Sequence, residues 1–239
     1  MAKPKTFYAC QSCGYQAPKW LGKCPDCNQW NTFAEERLER ATSVRGELSL
    51  GTKEDPAPIH EINTAEEGRL QCGIGEFDRV LGGGLVPGSV ILIGGDPGIG
   101  KSTLLLQAFA AISQKGLTCL YVSGEESPRQ IKMRAERLGI IAPNLLVLSE
   151  TSLERIIEHV KNIQPGLLVI DSIQTIFSPT IPSAPGSIAQ VRESSGSIIV
   201  LAKKTGLTTF LFGHVTKVGA IAGPGALGHI AQTMLYFLC

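Results

Sequence analysis

One stretch of the chain, Gly95-Asp96-Pro97-Gly98-Ile99-Gly100-Lys101-Ser102 followed by Thr103, indicates the architecture more strongly than any other. It fits the phosphate-loop pattern of a glycine, four variable residues, a glycine, a lysine and a serine or threonine. A short apolar strand at 89–94 precedes it and helix-forming residues at 102–115 follow it, which is the context that the pattern requires. A glycine-rich turn with a chance lysine is the alternative. The sequence favours a loop whose backbone N–H groups bind the phosphates of a nucleoside triphosphate.

Three side chains near this loop have predicted roles in catalysis and metal binding. Lys101 would contact the β- and γ-phosphates, and the Ser102 hydroxyl would hold Mg²⁺. Asp171 ends an apolar strand at 167–170 and is the second predicted Mg²⁺ ligand, because ligands gather at the carboxyl ends of parallel strands. In the alternative, Asp171 caps the turn that follows it.

Two adjacent carboxylates, Glu125 and Glu126, follow another predicted strand at 118–123. Hydrolysis of a nucleoside triphosphate needs a base that orients and deprotonates water. Successive side chains of an extended chain point in opposite directions, so only one of the two can face the nucleotide. We favour Glu125 as the base, with Glu126 as its substitute. In the alternative, both are solvated loop charges.

His214 and Lys217 follow the predicted strand at 208–212 and are candidate sensors of the γ-phosphate. The glycine-rich loop at 218–229 comes next and has no helical or strand periodicity. A mobile loop behind a phosphate sensor suits an order–disorder switch. A lone histidine is otherwise an ordinary loop residue, so both interpretations of His214 stay open.

Short apolar strands alternate with helices along the chain beyond residue 59. Strands are expected at 89–94, 118–123, 145–148, 167–171, 208–212 and 233–238. Helices are expected at 76–81, 102–115, 129–138, 152–164 and 187–205. This alternation predicts an α/β fold with a mostly parallel sheet that is covered on both faces.

Four cysteines form a second motif, Cys10-x-x-Cys13 and Cys24-x-x-Cys27, within residues 1–34. Each pair makes a tight turn that presents two thiolates, and two such turns close a tetrahedral Zn²⁺ site. A segment of this length cannot build an adequate hydrophobic core. The metal would therefore supply most of the folding free energy of the module. A redox-active CxxC motif is the alternative, but those motifs come singly within a larger fold.

Lysines and aromatic residues are interleaved around these cysteines. They are Lys3, Lys5, Lys19 and Lys23, with Phe7, Tyr8, Tyr15, Trp20 and Trp30. They could form a nucleic-acid surface on which bases stack and lysines meet phosphates. Equally, the aromatic residues could be the small core of the module, and the lysines could offset the charge of the metal-bound thiolates. The sequence leaves both interpretations open.

Length and composition set the broad class. The chain has 239 residues, 43% hydrophobic content and a net charge of +1, which suits one globular body with a small extra module. It shows no signal peptide and no apolar run long enough to cross a membrane, so a soluble, cytoplasmic protein is expected. The polar segment at 35–58 is a predicted linker, with a short helix at 35–40. The predicted divisions are 1–34, 35–58 and 59–239.

Taken together, these motifs resemble the bacterial RadA (Sms) family of DNA repair proteins, which are RecA-like ATPases. The resemblance covers almost the whole chain and rests on residues 18–22, 78–88, 94–103, 121–127, 190–193 and 213–217. It implies a RecA-like P-loop core that hydrolyses ATP in a DNA-dependent way. It also implies branch migration of recombination intermediates, a RecA-type recombinase as partner, and hexameric rings around DNA.

The same resemblance implies roles for individual residues. It assigns ATP and Mg²⁺ to Lys101, Ser102 and Asp171, the base to Glu125, and zinc to Cys10, Cys13, Cys24 and Cys27. Members of the family continue past the last core strand into a Lys-Asn-Arg-Phe-Gly motif and a domain resembling Lon protease. Neither is present here, so we expect a fragment or a truncated copy. The alternative function is therefore a nucleotide-dependent DNA-binding module with little turnover.

Overall fold

The computed structural model of the chain describes residues 5–12, 15–38, 57–58, 60, 68–214 and 233–237. These residues form two sheets of different kinds, and each sheet has a hydrophobic core of its own. Among the described residues, no helix is both long and apolar enough to span a bilayer.

The first sheet is small and antiparallel. Strand β1 (Lys5–Cys10) lies between β2 (Gln16–Ala17) and β3 (Phe33–Leu38). Its core cluster consists of Cys10, Ala17, Cys24 and Phe33, so two of the four side chains in this cluster are also candidate metal ligands.

The helix predicted at 35–40 is wrong, because residues 35–38 belong to strand β3. This strand pairs with β1 in register from Cys10 opposite Phe33 to Lys5 opposite Leu38. Pairing satisfies backbone groups along β1 that a helix would leave without strand partners. A long-range partner therefore overrides the local helix propensity of Glu35 and Glu36.

The second sheet is parallel throughout its described strands. In chain order these are β4 (Val90–Gly95), β5 (Cys119–Ser123), β6 (Leu145–Ser149), β7 (Leu167–Asp171), β8 (Thr208–His214) and β9 (Thr233–Phe237). Their spatial order is β6-β5-β7-β8-β4-β9, and every pairing is parallel. The predicted α/β class is confirmed, and each predicted strand is present to within two residues.

Helices cover both faces of this sheet. They are α1 (Gly75–Val80), α2 (Lys101–Gln114), α3 (Pro128–Arg137), α4 (Leu153–Ile163) and α5 (Ile188–Thr205). Alternate residues of β4 separate the two cores, since Ile91 packs in the cluster with Phe109 of α2 and Leu92 in the cluster with Ile156 of α4. Strands buried on both faces read as continuous apolar runs, which is why the sequence pattern identified them.

The carboxyl ends of four neighbouring strands lie side by side. Gly95 at the end of β4 is in register with His214 of β8, and Ser123 at the end of β5 is in register with Asp171 of β7. Strand β8 also pairs with β7, so the order is β5-β7-β8-β4 along this edge. The parallel topology therefore gathers the loops that follow these strands at one rim.

Candidate nucleotide-binding site

The phosphate loop leaves β4 through a glycine that has no room for a side chain. Gly95 has φ of +147°, and a Cβ added there would lie 2.9 Å from the Cβ and the carbonyl oxygen of Phe237. Gly100, where α2 begins, has φ of +101°. Both positions require positive φ angles, which residues with a side chain rarely adopt. The shape of the loop therefore depends on these two glycines.

The N-terminus of α2 differs from that of α3. Ser127 caps α3 in a capping box with Gln130, whereas the N-cap of α2 is Gly100, which makes no side-chain cap hydrogen bond. The first N–H groups of a helix have no partner within the helix and carry a partial positive charge. The open end of α2 is therefore suited to bind an anion.

Lys101 lies in the first turn of α2 and is buried, with 6% of its surface exposed. Its Nζ donates hydrogen bonds to the carbonyl oxygens of Gly95 at 2.6 Å and Asp96 at 2.7 Å. Burial lowers the pKa of Lys101, while the nearby charges of Asp171, Asp96 and Glu125 raise it. The loop thus surrounds a poorly solvated cation whose charge an incoming phosphate can neutralise.

Asp171, at the end of β7, lies beside Ser102, the other predicted metal ligand. The Tyr121 hydroxyl donates to Asp171 Oδ2 at 2.5 Å, and the Ser102 side chain also hydrogen-bonds to Asp171. Burial raises the pKa of Asp171, and those two hydrogen bonds act in the opposite direction. The structure thus brings together Ser102 and Asp171, and their oxygen atoms are ligands of the type that Mg²⁺ prefers.

Glu125 and Glu126 have different partners. The Ser172 hydroxyl donates to Glu125 Oε1 at 2.6 Å, whereas Glu126 forms an ion pair with Arg134 of α3. The two ionic side chains keep only 30% (Glu126) and 18% (Arg134) of their surface exposed. One carboxylate is therefore held by a neutral hydroxyl, and the other by a permanent cation.

Gly124 fixes the direction in which these carboxylates leave β5. A Cβ added at Gly124 would overlap the Oγ1 and Cβ atoms of Thr175, which follows Asp171 in the next loop. Thr175 is held in place because its hydroxyl donates to the carbonyl oxygen of Ser172 at 2.7 Å. The segments after β5 and β7 are therefore packed directly against each other.

A cavity of about 310 Å³ lies where these groups meet. Its lining residues are Pro97, Gly98, Gly100, Lys101, Ser102, Thr103, Glu125, Glu126, Arg134, Asp171, Phe212 and Gly213. The volume is at the lower end of the range of about 300–1,000 Å³ that is common for ligand pockets. Most of the predicted loop residues, the predicted metal ligands and both candidate bases therefore face one space.

The predicted phosphate sensors are only partly described. His214 is the last residue of β8 and its backbone is in register with Gly95, so its position at the rim agrees with the sequence. Its side chain, Lys217 and the loop at 218–229 lie outside the described residues.

Three of the four motif cysteines lie together in the antiparallel module. The Sγ atoms of Cys10, Cys24 and Cys27 are within 4.8 Å of one another, and the Sγ atoms of Cys10 and Cys27 are 3.6 Å apart. Cys13 lies outside the described residues. Thiolates in such a cluster fit Zn²⁺ or iron, since both metals favour sulfur ligands in tetrahedral sites.

Comparison with known protein families agrees with this geometry. A sequence model of the AAA domain matches residues 56–220. The chain belongs to the AAA domain family. A second model, described as the rubredoxin metal binding domain, matches residues 8–35 and thus the segment that carries the thiol cluster.

Curated relatives confirm the resemblance that the motifs indicated. The chain is 52% identical to the DNA repair protein RadA of Bacillus subtilis and 50% identical to that of Pseudomonas aeruginosa, over 99% of its own length in each case. A Streptococcus pyogenes protein of the same name is also 50% identical. The chain spans about half the length of these relatives, 52% in each case.

Sequence reasoning missed three residues of the site: Tyr121, Ser172 and Arg134. Tyr121 is fully buried in an aliphatic strand, where its hydroxyl requires a polar partner, and this was a readable signal. Arg134 lies three residues after the buried Ile131 on α3, so an arginine on the buried face indicated an ion pair. Ser172 gave no such signal, because its contact with Glu125 depends on the neighbouring strand.

Proposed function

We propose that the chain binds ATP together with Mg²⁺ and hydrolyses it. The observation that carries this proposal is the convergence of the phosphate loop, Asp171 and Glu125 on one cavity. The cavity suits the phosphate end of the nucleotide. Membership of the AAA domain family supports the same class of activity.

The mechanism begins with an exchange of partners at Lys101. Its Nζ would leave the carbonyl oxygens of Gly95 and Asp96 and donate to the β- and γ-phosphate oxygens. The N–H groups at the open end of α2 would bind the same phosphates. Ser102 and Asp171 would hold Mg²⁺, which neutralises charge on the phosphates and leaving group when bound.

We propose Glu125 as the residue that positions the attacking water and accepts its proton. The water oxygen forms a bond to the γ-phosphorus, the bond from that phosphorus to the β–γ bridging oxygen breaks, and ADP and phosphate leave. Arg134 pairs with Oε1 of Glu126 and stabilises its ionised form, whereas Oε1 of Glu125 accepts a hydrogen bond from the Ser172 hydroxyl. Glu125 is therefore better placed to accept a proton, and Glu126 with Arg134 would hold the wall of the cavity.

We extend the proposal to DNA because the relatives are named as DNA repair proteins. In this proposal the ATPase is DNA-dependent, works in the cytoplasm within a homo-oligomer, a hexameric ring, and drives branch migration with a RecA-type recombinase. His214 and Lys217 would sense the γ-phosphate and pass its loss to the loop at 218–229. The three-part division remains part of this proposal, with the predicted first boundary at residue 34 moved to residue 38, because strand β3 of the module extends to Leu38. The matches to residues 8–35 and 56–220 support it.

We also propose that the thiol cluster holds Zn²⁺, with Cys13 as the fourth ligand. The chemistry of the donors supports this, since three sulfur atoms already share one small volume. The metal would fix the turns that carry Cys24 and Cys27, because the shared antiparallel core is small.

One assay tests the central proposal. ATP hydrolysis is measured with and without single-stranded DNA, for the native chain and for Lys101→Ala. We expect DNA-stimulated turnover that is lost in the variant while folding, followed by circular dichroism, is unchanged. Tight ATP binding without turnover would instead favour the alternative function, a nucleotide-dependent DNA-binding module. Absence of nucleotide binding would refute both.

A further inference from the structure

Two indole side chains stand exposed on the thiol module. Trp20 exposes 51% of its surface and Trp30 exposes 69%. The buried core of the module is made by Cys10, Ala17, Cys24 and Phe33 instead. The interpretation of these tryptophans as a small core is therefore wrong, and their surface is available to a partner.

The indoles meet over one glycine. A Cβ added at Gly22 would lie 3.6 Å from the six-membered ring of Trp20 and 3.9 Å from that of Trp30. Lys23 Nζ lies 5.8 Å from the centroid of the Trp30 ring. We call Trp20, Gly22, Lys23 and Trp30 the indole platform.

The backbone under the platform is fixed by short-range pairing. Lys23 and Trp30 form an antiparallel bridge, and Asn31 N donates to Gly22 O at 2.8 Å. The segment between Lys23 and Trp30 carries Cys24 and Cys27, so a metal held by the thiol cluster would fix it further. The rings are therefore presented by an ordered turn, which lowers the entropy lost when a ligand binds.

The charges around the platform indicate its ligand. Lys19 precedes Trp20 in the chain and Lys23 lies 5.8 Å from the Trp30 ring centroid; both lysines are exposed, as is Asp26 of the same segment. Exposed lysines beside exposed aromatic rings match a polymer that carries both phosphates and flat bases. An apolar protein segment would satisfy the rings but not the lysines.

We propose that the indole platform binds single-stranded DNA by stacking bases on Trp20 and Trp30, with Lys19 and Lys23 near the phosphates. This places a DNA contact on the module, separate from the nucleotide cavity. The choice of DNA rests on the proposed function, but the stacking chemistry rests on the platform alone.

The chain has two tryptophans in total, and both are in the platform. Intrinsic tryptophan fluorescence of the full, metal-loaded chain therefore reports on the platform directly. We expect saturable quenching by an oligo(dT) strand. An abasic oligomer with the same number of phosphates should leave the emission nearly unchanged. Equal quenching by both polymers would overturn stacking, because charge alone would then explain the signal.

Substitutions separate stacking from general apolar contact. Base–aromatic stacking predicts that Trp30→Ala weakens oligonucleotide binding roughly 5- to 150-fold, with the lower end expected at an exposed ring. Trp30→Phe should keep most of the affinity, and Trp30→Leu should lose it. Ile141→Ala is the matched control, because Ile141 is 82% exposed on the other sheet domain. Native affinity in Trp30→Leu would contradict the proposal.

Two measurements distinguish failure of the platform proposal from failure of the proposed function. They are the fluorescence anisotropy of a labelled DNA strand and the ATPase rate. If Trp20→Ala/Trp30→Ala binds DNA as tightly as the native chain, the platform is refuted and the proposed DNA binding stands. If the native chain binds no DNA with or without ATP, both are refuted. A concentration-dependent blue shift without DNA would show that a second copy covers the platform. Unchanged metal content and basal turnover in the double variant verify that it folds.

Discussion

Phe210 in the parallel sheet is fully buried and stacks against Phe77 at 6.2 Å and edge-on against Phe109 at 5.1 Å, measured between ring centroids. In the thiol module, by contrast, the largest side chains, Trp20 and Trp30, are exposed and cysteines occupy the interior. The first region is stable because it buries large apolar side chains. The second has too little apolar interior for that, and in our proposal sulfur–metal bonds would stabilise it instead. The tryptophans of the module are therefore accessible to a ligand, whereas Phe210 of the parallel sheet is structural.

Metal removal is the strongest test of this difference between the two regions and has the largest expected effect. A chelator, or the Cys24→Ser substitution, should unfold the thiol module, because structural Zn²⁺ supplies apparent folding free energies of about 10–16 kcal/mol. Loss of the tryptophan band in near-ultraviolet circular dichroism should report it, since both tryptophans are in the module. ATP binding by the parallel sheet should persist. A simultaneous loss of both signals would show that the two regions fold as one unit.

The converse test creates a cavity in the core of the parallel-sheet domain. Phe210→Ala should lower the stability of that domain by about 3–5 kcal/mol, because the neighbouring rings can fill the space only in part. Thermal unfolding followed in the far ultraviolet measures this effect. The tryptophan band of the module should not move at temperatures below the new transition.

Paired substitutions at the candidate base sharpen the catalytic side of the comparison. Glu125→Gln should reduce turnover by about 10²–10⁴-fold with little change in ATP affinity, because a general base is lost. Glu126→Gln should have a smaller effect on turnover and a larger one on stability, since it leaves Arg134 buried without its ion pair. Single-turnover hydrolysis and thermal unfolding are measured for both variants. A larger loss of turnover in Glu126→Gln would reverse the assignment.

The smallest effect on stability is expected at Asp171. Burial raises its pKa, so its ionised form is disfavoured in the folded chain and its contribution to stability falls as pH rises from the ordinary to the raised value. Asp171→Asn should therefore raise the stability at pH 7 by about 1 kcal/mol, or ~2–4 °C, while turnover is lost. The gain should disappear as pH falls through that window. A gain that persists at low pH would exclude the carboxylate charge as its cause.

The sequence predicted the site residues whose positions follow from where a strand ends. Lys101, Asp171 and Glu125 each follow an apolar run, and parallel strands bring their carboxyl ends to one rim, so local pattern was sufficient. The cysteine spacing was sufficient for the thiol cluster in the same way. The roles of Lys101, Asp171 and Glu125 remain predictions.

Contacts between elements could not be predicted. The pairing of Ser172 with Glu125 requires the β5–β7 register, and the pairing of Arg134 with Glu126 requires the rotation of α3 about its axis. The error at 35–40 has the same origin, because strand β3 forms on a partner that is distant in sequence. The hydrophobic periodicity of a sequence describes one helix or strand at a time, whereas each of these contacts joins two elements.

The contact between Gly124 and Thr175 has a mechanical consequence. Thr175 bonds to the backbone of Ser172, and the hydroxyl of Ser172 bonds to Glu125, so the exits of β5 and β7 are joined in a closed ring of contacts. Asp171, the proposed metal ligand, and Glu125, the proposed base, should then shift as one unit. A distant partner could then affect hydrolysis by changing the spacing between this unit and Lys101.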